Sequence, residues 1–487
     1  MLKIKSIQEI YIRGIDMKGV KKNFFYNAFY QILVLILPLI TSPYISRIMG
    51  AEKIGIYSYS YSIVSYFGLF ILLGLNNYGN RTIATVREDR ESLSKTFWSI
   101  YAIQFVAGLI IFFFYLLYVL FIAENQKMAL IQIIYLISVI LDINWFFFGI
   151  EQFKLTVTRN TIVKIISVIC IFIFVKKSSD IYIYALLMVV SPIASQVFLW
   201  GFLRKYIVFV KPKFSDINKH FIPNLTLFIP VIAISLYTTM AKILLGALSN
   251  LTEVGYFESA NKLTTIPAMI ITSLGTVMLP RISNMIANGK EKETVKYLQK
   301  SLIVSVFLSM SMALGMSALS KEFVPFFYGK GFEKCGVLIP ILVLSSIFIS
   351  WANVIRTQYL IPYKMDKIYI ESVFLGAITN VAINIILIPY LQSIGAAIGT
   401  LLAEIVVCIY QSLRIRKFLN IKLIFKQSLP FIFFGSIMYI FVVNVHLANN
   451  TFLDIILKVG VGGVIYLFLS GIYYLYVLRF SLGREEY

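Results

Sequence analysis

Long apolar runs recur along the chain and are separated by short polar segments. Each run covers about 20 residues, the length that a helix needs to cross a hydrocarbon core of roughly 30 Å. Apolar and polar residues do not alternate inside the runs, as they would in strands of a membrane barrel. A helix also satisfies its own backbone hydrogen bonds in lipid. The pattern predicts fourteen transmembrane spans, at residues 24–46, 54–75, 97–122, 128–150, 160–175, 181–203, 222–247, 254–279, 301–320, 336–361, 368–389, 393–413, 429–448 and 453–478.

Composition leads to the same class. Of the 487 residues, 59% are hydrophobic and only 14% are charged, which is too little polar surface to cover a water-soluble globule of this size. The predicted fold class is therefore an all-α polytopic membrane protein. Residues 1–22 mix basic and apolar positions without an uninterrupted apolar core, so they predict an amphipathic segment on the inner leaflet rather than a removable signal peptide.

The formal net charge of +21 comes from basic residues that lie mostly in the loops between the predicted spans. Lys and Arg residues concentrate in alternate connections rather than on one soluble face, which argues against nucleic acid as a partner. With the N-terminus inside, the inner segments carry 31 of the 44 Lys and Arg residues and the outer segments carry 10. This bias places both termini in the cytoplasm, and an even number of spans requires that they share a side.

An internal repeat predicts two lobes. The segment from 38 to 62 returns near 241–263, where an apolar helix, a short polar link and a second apolar helix follow in the same order. The alignment pairs Gly55 with Gly255, Tyr57 with Phe257, Gly50 with Gly246 and, approximately, Arg47 with Lys242. Since each copy has six spans, both insert the same way up and are related by an axis along the membrane normal.

The repeat defines the predicted organisation of the whole chain. Spans 13 and 14 lie outside the duplication. The predicted parts are a basic cytoplasmic tail (1–22), an N-lobe of spans 1–6 (23–203), a cytoplasmic linker (204–220), a C-lobe of spans 7–12 (221–417), and spans 13 and 14 with a cytoplasmic tail (418–487).

Motifs of catalysis are missing from the sequence. It has no phosphate-binding Gly-rich loop, no Ser-His-Asp set and no pair of carboxylates at catalytic spacing. Three scattered cysteines and two isolated histidines do not form a metal site. The chain is therefore predicted not to be an enzyme, and neither a cofactor nor a metal is expected. Polar side chains at membrane depth are the remaining candidates for function.

Basic side chains near the outer ends of the spans suggest an anion site. Arg47 on span 1 and Lys242 on span 7 begin their respective lobes, and two cations that converge on a cleft suit a phosphate or pyrophosphate group. Both side chains have the alternative of snorkelling to the outer surface. Lys262 on span 8 follows Glu258 by one helical turn, so either ligand contact or an internal ion pair fits the spacing.

Carboxyl groups at membrane depth are candidates for ion coupling. Glu404 lies near the middle of span 12, and Asp142 lies past the middle of span 4. A proton-coupled carrier uses such groups, and Glu258 is a third candidate. The alternative for each is a hydrogen-bonded structural role.

Two polar stripes are candidates for contact with sugar hydroxyl groups. Asn27 and Gln31 lie one turn apart on span 1, and Asn380 and Asn384 lie one turn apart on span 11. Amides at this spacing suit either a wet cavity or a bridge between helices. The sequence does not decide between the two roles.

Five segments then resemble a known family. They are PYISRIMGAEKIGIYSYS (43–60), GLNNYGNRTIATVRED (74–89), NWFFFGIEQFK (144–154), EVGYFESANKL (253–263) and LGTVMLPRIS (274–283). In this order and spacing they resemble the Wzx-type polysaccharide and O-antigen repeat-unit flippases of the MOP (multidrug/oligosaccharidyl-lipid/polysaccharide) exporter superfamily. The resemblance implies two six-helix lobes plus two further helices, as in MATE-like folds.

The resemblance also implies a function. Members of this family move undecaprenyl-pyrophosphate-linked oligosaccharides to the outer leaflet, so a bacterial plasma membrane, a role in capsule or O-antigen synthesis, and a polymerase and glycosyltransferases as partners are expected. Transport is expected to use alternating access, driven by an H⁺ or Na⁺ gradient or by membrane potential. The family often has an acidic residue before the span-7 lysine. This chain has Ala241 there, so Lys242 is expected to be freer to meet a phosphate.

Three other functions compete with this one. A multidrug or cation antiporter of the same superfamily would need acidic residues in its cavity. A teichoic-acid flippase would differ only in cargo. A membrane glycan polymerase would need large outer loops with catalytic residues, whereas the predicted outer loops are mostly short.

Overall fold

The computed structural model describes residues 17–478, and the described chain is almost entirely helical. Its α-helices are α1 (Met17–Leu72), α2 (Leu75–Val86), α3 (Arg90–Phe121), α4 (Gln126–Ile140), α5 (Asn144–Gly149), α6 (Phe153–Phe174), α7 (Ile181–Leu203), α8 (Phe214–Thr238), α9 (Met240–Leu248), α10 (Leu251–Ala287), α11 (Glu291–Tyr328), α12 (Cys335–Ile355), α13 (Asp366–Leu391), α14 (Ser393–Ile415), α15 (Ile421–Asn444) and α16 (Thr451–Tyr473).

Thirteen described helical segments are long and apolar enough to cross a membrane. The first of them, Ile36–Val86, contains two predicted spans, because Gly50 interrupts α1 with a φ of 69°. Only glycine adopts this backbone conformation without strain, so the chain turns there. With that turn counted, each of the fourteen predicted spans has its helix, and the predicted fold class is confirmed.

Several helices are longer than their predicted spans. Helix α11 runs over Glu291–Tyr328 where hydropathy predicted 301–320, and α3 starts at Arg90 rather than at 97. Hydropathy ends a span at its first charges, whereas a helix continues until its cap. Asp89 caps α3 by accepting hydrogen bonds from the backbone N–H groups of Glu91 and Ser92. Hydrogen bonding from Ser92 is also the main reason that the pKa of Asp89 is lowered.

Predicted span 4 is broken at residues 141–143, between α4 and α5. A fully buried amide, Gln104, satisfies the carbonyl groups that the break leaves without helical partners. Its Nε2 donates to the carbonyl oxygens of Val139 (3.0 Å), Ile140 (3.1 Å) and Asp142 (2.8 Å), and its Oε1 accepts from Trp145 Nε1 (3.0 Å). Since unpaired backbone groups are costly in lipid, Gln104 stabilises this break.

The described helices form two compact units that do not coincide with the chain order. Of the described residues, the first contains 17–42 and 63–231, and the second contains 43–62 and 232–478. The core of the first unit is aromatic. Phe97 stacks on Trp145 and Tyr101, with ring centroids 5.4 and 5.8 Å apart, and meets Phe146 edge to face.

The predicted linker 204–220 lies against α3 in the first unit. Trp98 Nε1 donates to the carbonyl oxygen of Val208 at 3.0 Å, and the Val208 N–H donates to Ser94 Oγ at 3.1 Å. Helix α8 then begins at Phe214, earlier than the predicted start of span 7 at residue 222. Its first turns are bound by an ion pair between Asp216 and Lys95 at 3.1 Å. The linker is therefore an ordered part of this unit.

In the second unit, the helix that follows Gly50 crosses α10 with backbone almost touching backbone. A Cβ atom added at Gly55 would lie 1.6 Å from the carbonyl oxygen of Leu251, and one at Gly255 would lie 1.9 Å from the carbonyl oxygen of Ala51. The contact is reciprocal, because Gly255 and Leu251 lie 200 positions after Gly55 and Ala51, and each glycine faces a carbonyl oxygen of the other helix. The contact brings together the two glycines that the repeat pairs, and the relation of the two copies as whole lobes stays a prediction.

Helices α15 and α16 pack on α11 in the same unit. The Lys458 ammonium on α16 is 1% exposed and lies 2.7 Å from Glu322 Oε1 of α11 and 3.0 Å from Asp454 Oδ2. His446 Nδ1 lies 3.6 Å from the same Asp454 oxygen, and these acidic and imidazole groups lie close enough together to suggest a metal site. Because the Lys458 ammonium already binds both carboxylates, it occupies the position that a metal ion would take.

Candidate functional site

The structure brings three predicted site residues together. Lys242 Nζ lies 3.1 Å from Glu258 Oε2, and Lys262 Nζ lies 3.6 Å from Glu258 Oε1. The side chains of Lys242 and Glu258 are each 17% exposed, and that of Lys262 is 39% exposed. The ion pair expected from the i, i+4 spacing of Glu258 and Lys262 is confirmed. We call these three residues the lysine-glutamate cluster.

The expectation that Lys242 is freer because Ala241 precedes it is wrong. The missing acidic neighbour on the same helix is replaced by a carboxylate from α10, because α9 and α10 pack against each other. A buried ammonium needs an anionic partner, and its neighbour in sequence is not the only source of one. Lys242 is thus held in place by Glu258.

The cluster lies one helical turn from the glycine crossing. Glu258 follows Gly255 on α10, and Ser58 follows Gly55 at the same distance on the other helix. Ser58 faces the Glu258 carboxylate, and these two residues, like the two glycines, are 200 positions apart. The crossing brings the two helices close enough for a side chain of each to reach the cluster.

The cluster carries a net positive charge, because it contains two ammonium groups and one carboxylate. One carboxylate accepts a hydrogen bond from Lys242 and forms an ion pair with Lys262, and Glu258 and Lys262 lie within the candidate membrane span Leu251–Ala287. Charged groups in such positions are expensive and usually face an internal cavity or pair with each other. Phosphate oxygens are strong acceptors for ammonium groups, so an anionic ligand can compete with Glu258 for Lys242 and Lys262.

Arg47 lies elsewhere in the second unit, at the end of α11. Its guanidinium donates to the carbonyl oxygens of Phe326 (2.6 Å) and Pro43 (3.1 Å), and Ser46 Oγ donates to the carbonyl oxygen of Tyr328 (2.8 Å). A cation at a helix C-terminus satisfies free carbonyl groups and complements the helix dipole. No contact among the described residues joins Arg47 to Lys242, and its role as an anion ligand stays a prediction.

The predicted equivalence of Arg47 and Lys242 is wrong in detail. Arg47 lies two residues before Met49, the last helical residue before the break at Gly50. Lys242 lies six residues before Leu248, the last residue of α9. Gly50 forms the break itself, but Gly246 lies inside α9 and packs on the Tyr59 ring. The second copy uses Asn250 as a helix cap where the first uses Gly50.

The stripe on span 11 lies inside the second unit. Asn384 Nδ2 donates to Asn380 Oδ1 at 2.9 Å, and both residues are fully buried. Asn384 Oδ1 also lies 2.1 Å from where a Cβ of Gly399 would be, so α13 and α14 approach closely there. This packing favours the alternative of a bridge between helices. The other stripe, Asn27 and Gln31, has side chains outside the described part of the structure and stays a prediction.

The two carboxyl candidates for coupling have different surroundings. Asp142 Oδ1 accepts from the backbone N–H of Asn144 (2.8 Å) and from its Nδ2 (2.7 Å), so the carboxylate fixes the first residue of the short helix α5. Glu404 is 7% exposed on α14, and no hydrogen bond or ion pair from the described residues reaches it. The environment of Asp142 is thus structural, and that of Glu404 leaves its carboxyl group without a protein partner.

Other buried polar residues escaped the sequence-based prediction. Arg159 is 4% exposed and donates to Ser195 O (2.9 Å), Asn144 Oδ1 (3.0 Å) and Asn160 Oδ1 (2.6 Å). The hydropathy pattern placed it in the inner connection 151–159, between the fourth and fifth predicted spans. Lys458 was counted as an outer residue, although its spacing of four from Asp454 was a usable signal.

The fold and the charged groups at membrane depth define a class of protein, a multi-pass helical carrier. A profile of the family "Polysaccharide biosynthesis protein" matches residues 20–286, which is more than half of the chain. The protein therefore belongs to the polysaccharide biosynthesis protein family.

Individual relatives agree with this family. A protein of Escherichia coli (strain K12) that is named as an O-antigen transporter is 24% identical over 415 residues, covering 83% of this chain and 98% of its own length. The lipid II flippase MurJ of Bacillus subtilis (strain 168) is 25% identical over 244 residues, covering 46% of this chain and 44% of its own.

A solved structure shows the same fold. The lipid II flippase MurJ in an inward closed conformation has a TM-score of 0.73 and 19% identity, and the match covers 94% of this chain and 99% of that one. At this identity the similarity concerns the fold alone. An inward-facing MATE-family multidrug transporter is also similar, with a TM-score of 0.59 and 12% identity over 79% of this chain and 98% of that one.

Proposed function

We propose that this protein is a flippase that moves an undecaprenyl-pyrophosphate-linked oligosaccharide from the cytoplasmic to the outer leaflet. The family and the named relatives support a lipid-linked glycan as cargo. The lysine-glutamate cluster supports an anionic headgroup, because two ammonium groups converge on one carboxylate whose side chain is only 17% exposed. Such a headgroup cannot cross the hydrocarbon core unaided, since burying an isolated charge is very costly.

The cluster supplies the step of headgroup recognition. The diphosphate takes hydrogen bonds from Lys242 and Lys262 and displaces them from Glu258, which keeps both ammonium groups paired while the site is empty. The glycan crosses in a hydrated passage, and the polyprenyl tail remains in lipid. Alternating access then exposes the headgroup to the outer side.

Orientation, partners and energy source belong to the same proposal. The excess of Lys and Arg in alternate loops supports cytoplasmic termini in a bacterial plasma membrane. A polymerase would consume the flipped unit, and glycosyltransferases would supply it. An H⁺ or Na⁺ gradient or the membrane potential would drive transport, with Glu404 as the first candidate for coupling because no described protein group pairs with it.

The test is the initial rate of flipping of a fluorescent undecaprenyl-pyrophosphate oligosaccharide in liposomes with the purified protein. Removing one charged hydrogen bond to the diphosphate should lower the rate, so Lys242→Ala is expected to flip about 10-fold more slowly or worse. Lys330→Ala removes the same charge from an exposed position and should flip normally. Lys242→Arg, which keeps the charge, should retain part of the rate.

Two results would contradict the proposal. Equal rates for Lys242→Ala, Lys330→Ala and the parent protein would remove the headgroup role from the cluster. Transport of cationic drugs without flipping of the lipid-linked glycan would favour the multidrug antiporter. Preferred flipping of a teichoic-acid precursor would change the cargo but keep the anionic headgroup.

A further inference from the structure

A groove lies in the first unit between α6 and α7. Its volume is about 460 Å³, within the range of small-molecule sites. Apolar side chains make most of its lining, among them Leu155, Ile162, Ala194 and Phe198. Ile162 is 52% exposed and Phe198 is 45% exposed, so the groove opens to the surroundings of the protein rather than into its core.

The groove has the depth of one leaflet. Its lining on α6 runs from Lys154, in the first turn, to Val163. At 1.5 Å per residue this distance is roughly 13 Å along the helix, close to half of a hydrocarbon core of about 30 Å. Residues 151–159 form an inner connection in the orientation on which the proposed function rests. The apolar lining therefore lies in the inner leaflet, and Lys154 lies at its headgroup layer.

Positive charge is concentrated at the headgroup end. Lys154 is exposed, and the buried guanidinium of Arg159 closes the base of the groove while it binds Ser195, Asn144 and Asn160. The helix cap Gln152 gives no side-chain hydrogen bond to the first turn of α6. The neighbouring carboxylate of Glu151 is paired with Arg87 at 2.6 Å, so it does not neutralise Lys154.

We propose that this groove binds an anionic phospholipid of the inner leaflet. One acyl chain lies along Leu155, Ile162 and Phe198, and the phosphate lies at Lys154 and the first turn of α6. Apolar contact holds the chain, and the ammonium group with the helix N-terminus selects an anionic headgroup over a zwitterionic one. The site is separate from the lysine-glutamate cluster, which lies in the other unit, so lipid binding and flipping can be measured independently.

Native mass spectrometry of the purified full-length protein tests this inference. Phosphatidylglycerol and phosphatidylcholine with identical acyl chains are added in turn, and the retained lipid per protein is counted. The parent protein should retain phosphatidylglycerol in preference. Lys154→Ala should weaken that preference about 5-fold. Lys213→Ala, which removes the same charge from an exposed linker position of the same unit, should not.

A second pair of variants tests the groove itself. Ala194→Phe fills the groove and keeps every charge, and Ile162→Trp does so from an exposed position if Ala194→Phe does not fold. Either variant should lose phosphatidylglycerol while its thermal unfolding stays cooperative. Equal retention of both lipids by the parent protein, or equal losses in Lys154→Ala and Lys213→Ala, would overturn the inference. Displacement of phosphatidylglycerol by equimolar undecaprenyl phosphate would also overturn it, because the groove would then belong to the substrate.

Discussion

Glu404 differs from the other buried carboxyl groups that the structure describes. Glu253 pairs with Lys334 at 2.6 Å and accepts from Ser393, Glu258 pairs with two lysines, and Asp142 accepts from Asn144. Glu404 has none of these partners among the residues whose side chains the structure describes. Because a carboxyl group without a partner is costly at membrane depth, Glu404 is the coupling candidate of the proposed function.

The residue-scale prediction is that Glu404→Gln uncouples transport from a proton gradient. Glutamine keeps the size and polarity of the side chain but cannot exchange a proton, so flipping should continue and lose its response to an imposed pH difference. The measurement is the initial rate in liposomes with and without that difference. Asp142→Ala is the contrast, because leaving the two Asn144 donors unpaired should cost about 1–3 kcal/mol of stability and leave the response intact. A normal response in Glu404→Gln would assign coupling to another group.

At the scale of elements, helix crossings depend on residues without side chains. The reciprocal contact of Gly55 with Leu251 and of Gly255 with Ala51 leaves no room for a Cβ. Its partner atoms are backbone carbonyl oxygens, which cannot move aside as a flexible side chain does. The same crossing places Ser58 beside the Glu258 carboxylate. Close packing of the two helices and the position of the cluster are therefore one structural feature.

Gly255→Ala should accordingly separate the two helices. Overpacking of this kind typically costs about 1–3 kcal/mol, and the displaced cluster should lower flipping as well. The matched control is Gly463→Ala on α16, where an added Cβ meets nothing within 4 Å and the better helix propensity of alanine should leave stability unchanged or slightly higher. Thermal unfolding and flipping rates of both variants are the measurement. Parental values for Gly255→Ala would show that the helices do not need this contact.

At the scale of the whole molecule, the two last helices are joined to the duplicated part by charge. Lys458 is almost fully buried and binds Glu322 of α11 and Asp454 of its own helix. Asp454 also accepts from the backbone N–H groups of Leu447 and Ala448, which fixes the connection before α16. The apolar surfaces of α15 and α16 resemble lipid in polarity, so specific docking needs such polar contacts.

Lys458→Met should therefore destabilise the protein more than a loss of packing would. Methionine keeps the length of the side chain but leaves two carboxylates without their cation, and breaking a buried ion pair in this way costs about 3–5 kcal/mol. The double variant Lys458→Met/Glu322→Gln should recover part of the loss, because one of the unpaired charges is removed with it. Thermal unfolding in detergent measures both. A melting temperature equal to that of the parent would show that the cluster does not contribute to docking.

Much of the fold was predictable from the sequence, but its breaks were not. Continuous apolar runs predicted all fourteen spans, because crossing lipid imposes a length and a polarity on each helix independently of its neighbours. The interruption at residues 141–143 was missed. It depends on Gln104, which is more than thirty residues away and satisfies the free carbonyl groups through tertiary contact. The kink at Gly50 was predicted as a link, because glycine there is a local signal.

The sequence by itself determined the membrane fold, the repeat and the family, since these depend on hydropathy, length and order along the chain. Only the tertiary structure determined which charged groups pair with one another. It joined Lys242 and Lys262 to Glu258, assigned Arg47 to the end of α11 and left Glu404 without a described partner. The physical reason is that a charge in lipid is stabilised by whatever group lies within a few ångströms of it, and helix packing rather than sequence distance sets that neighbour.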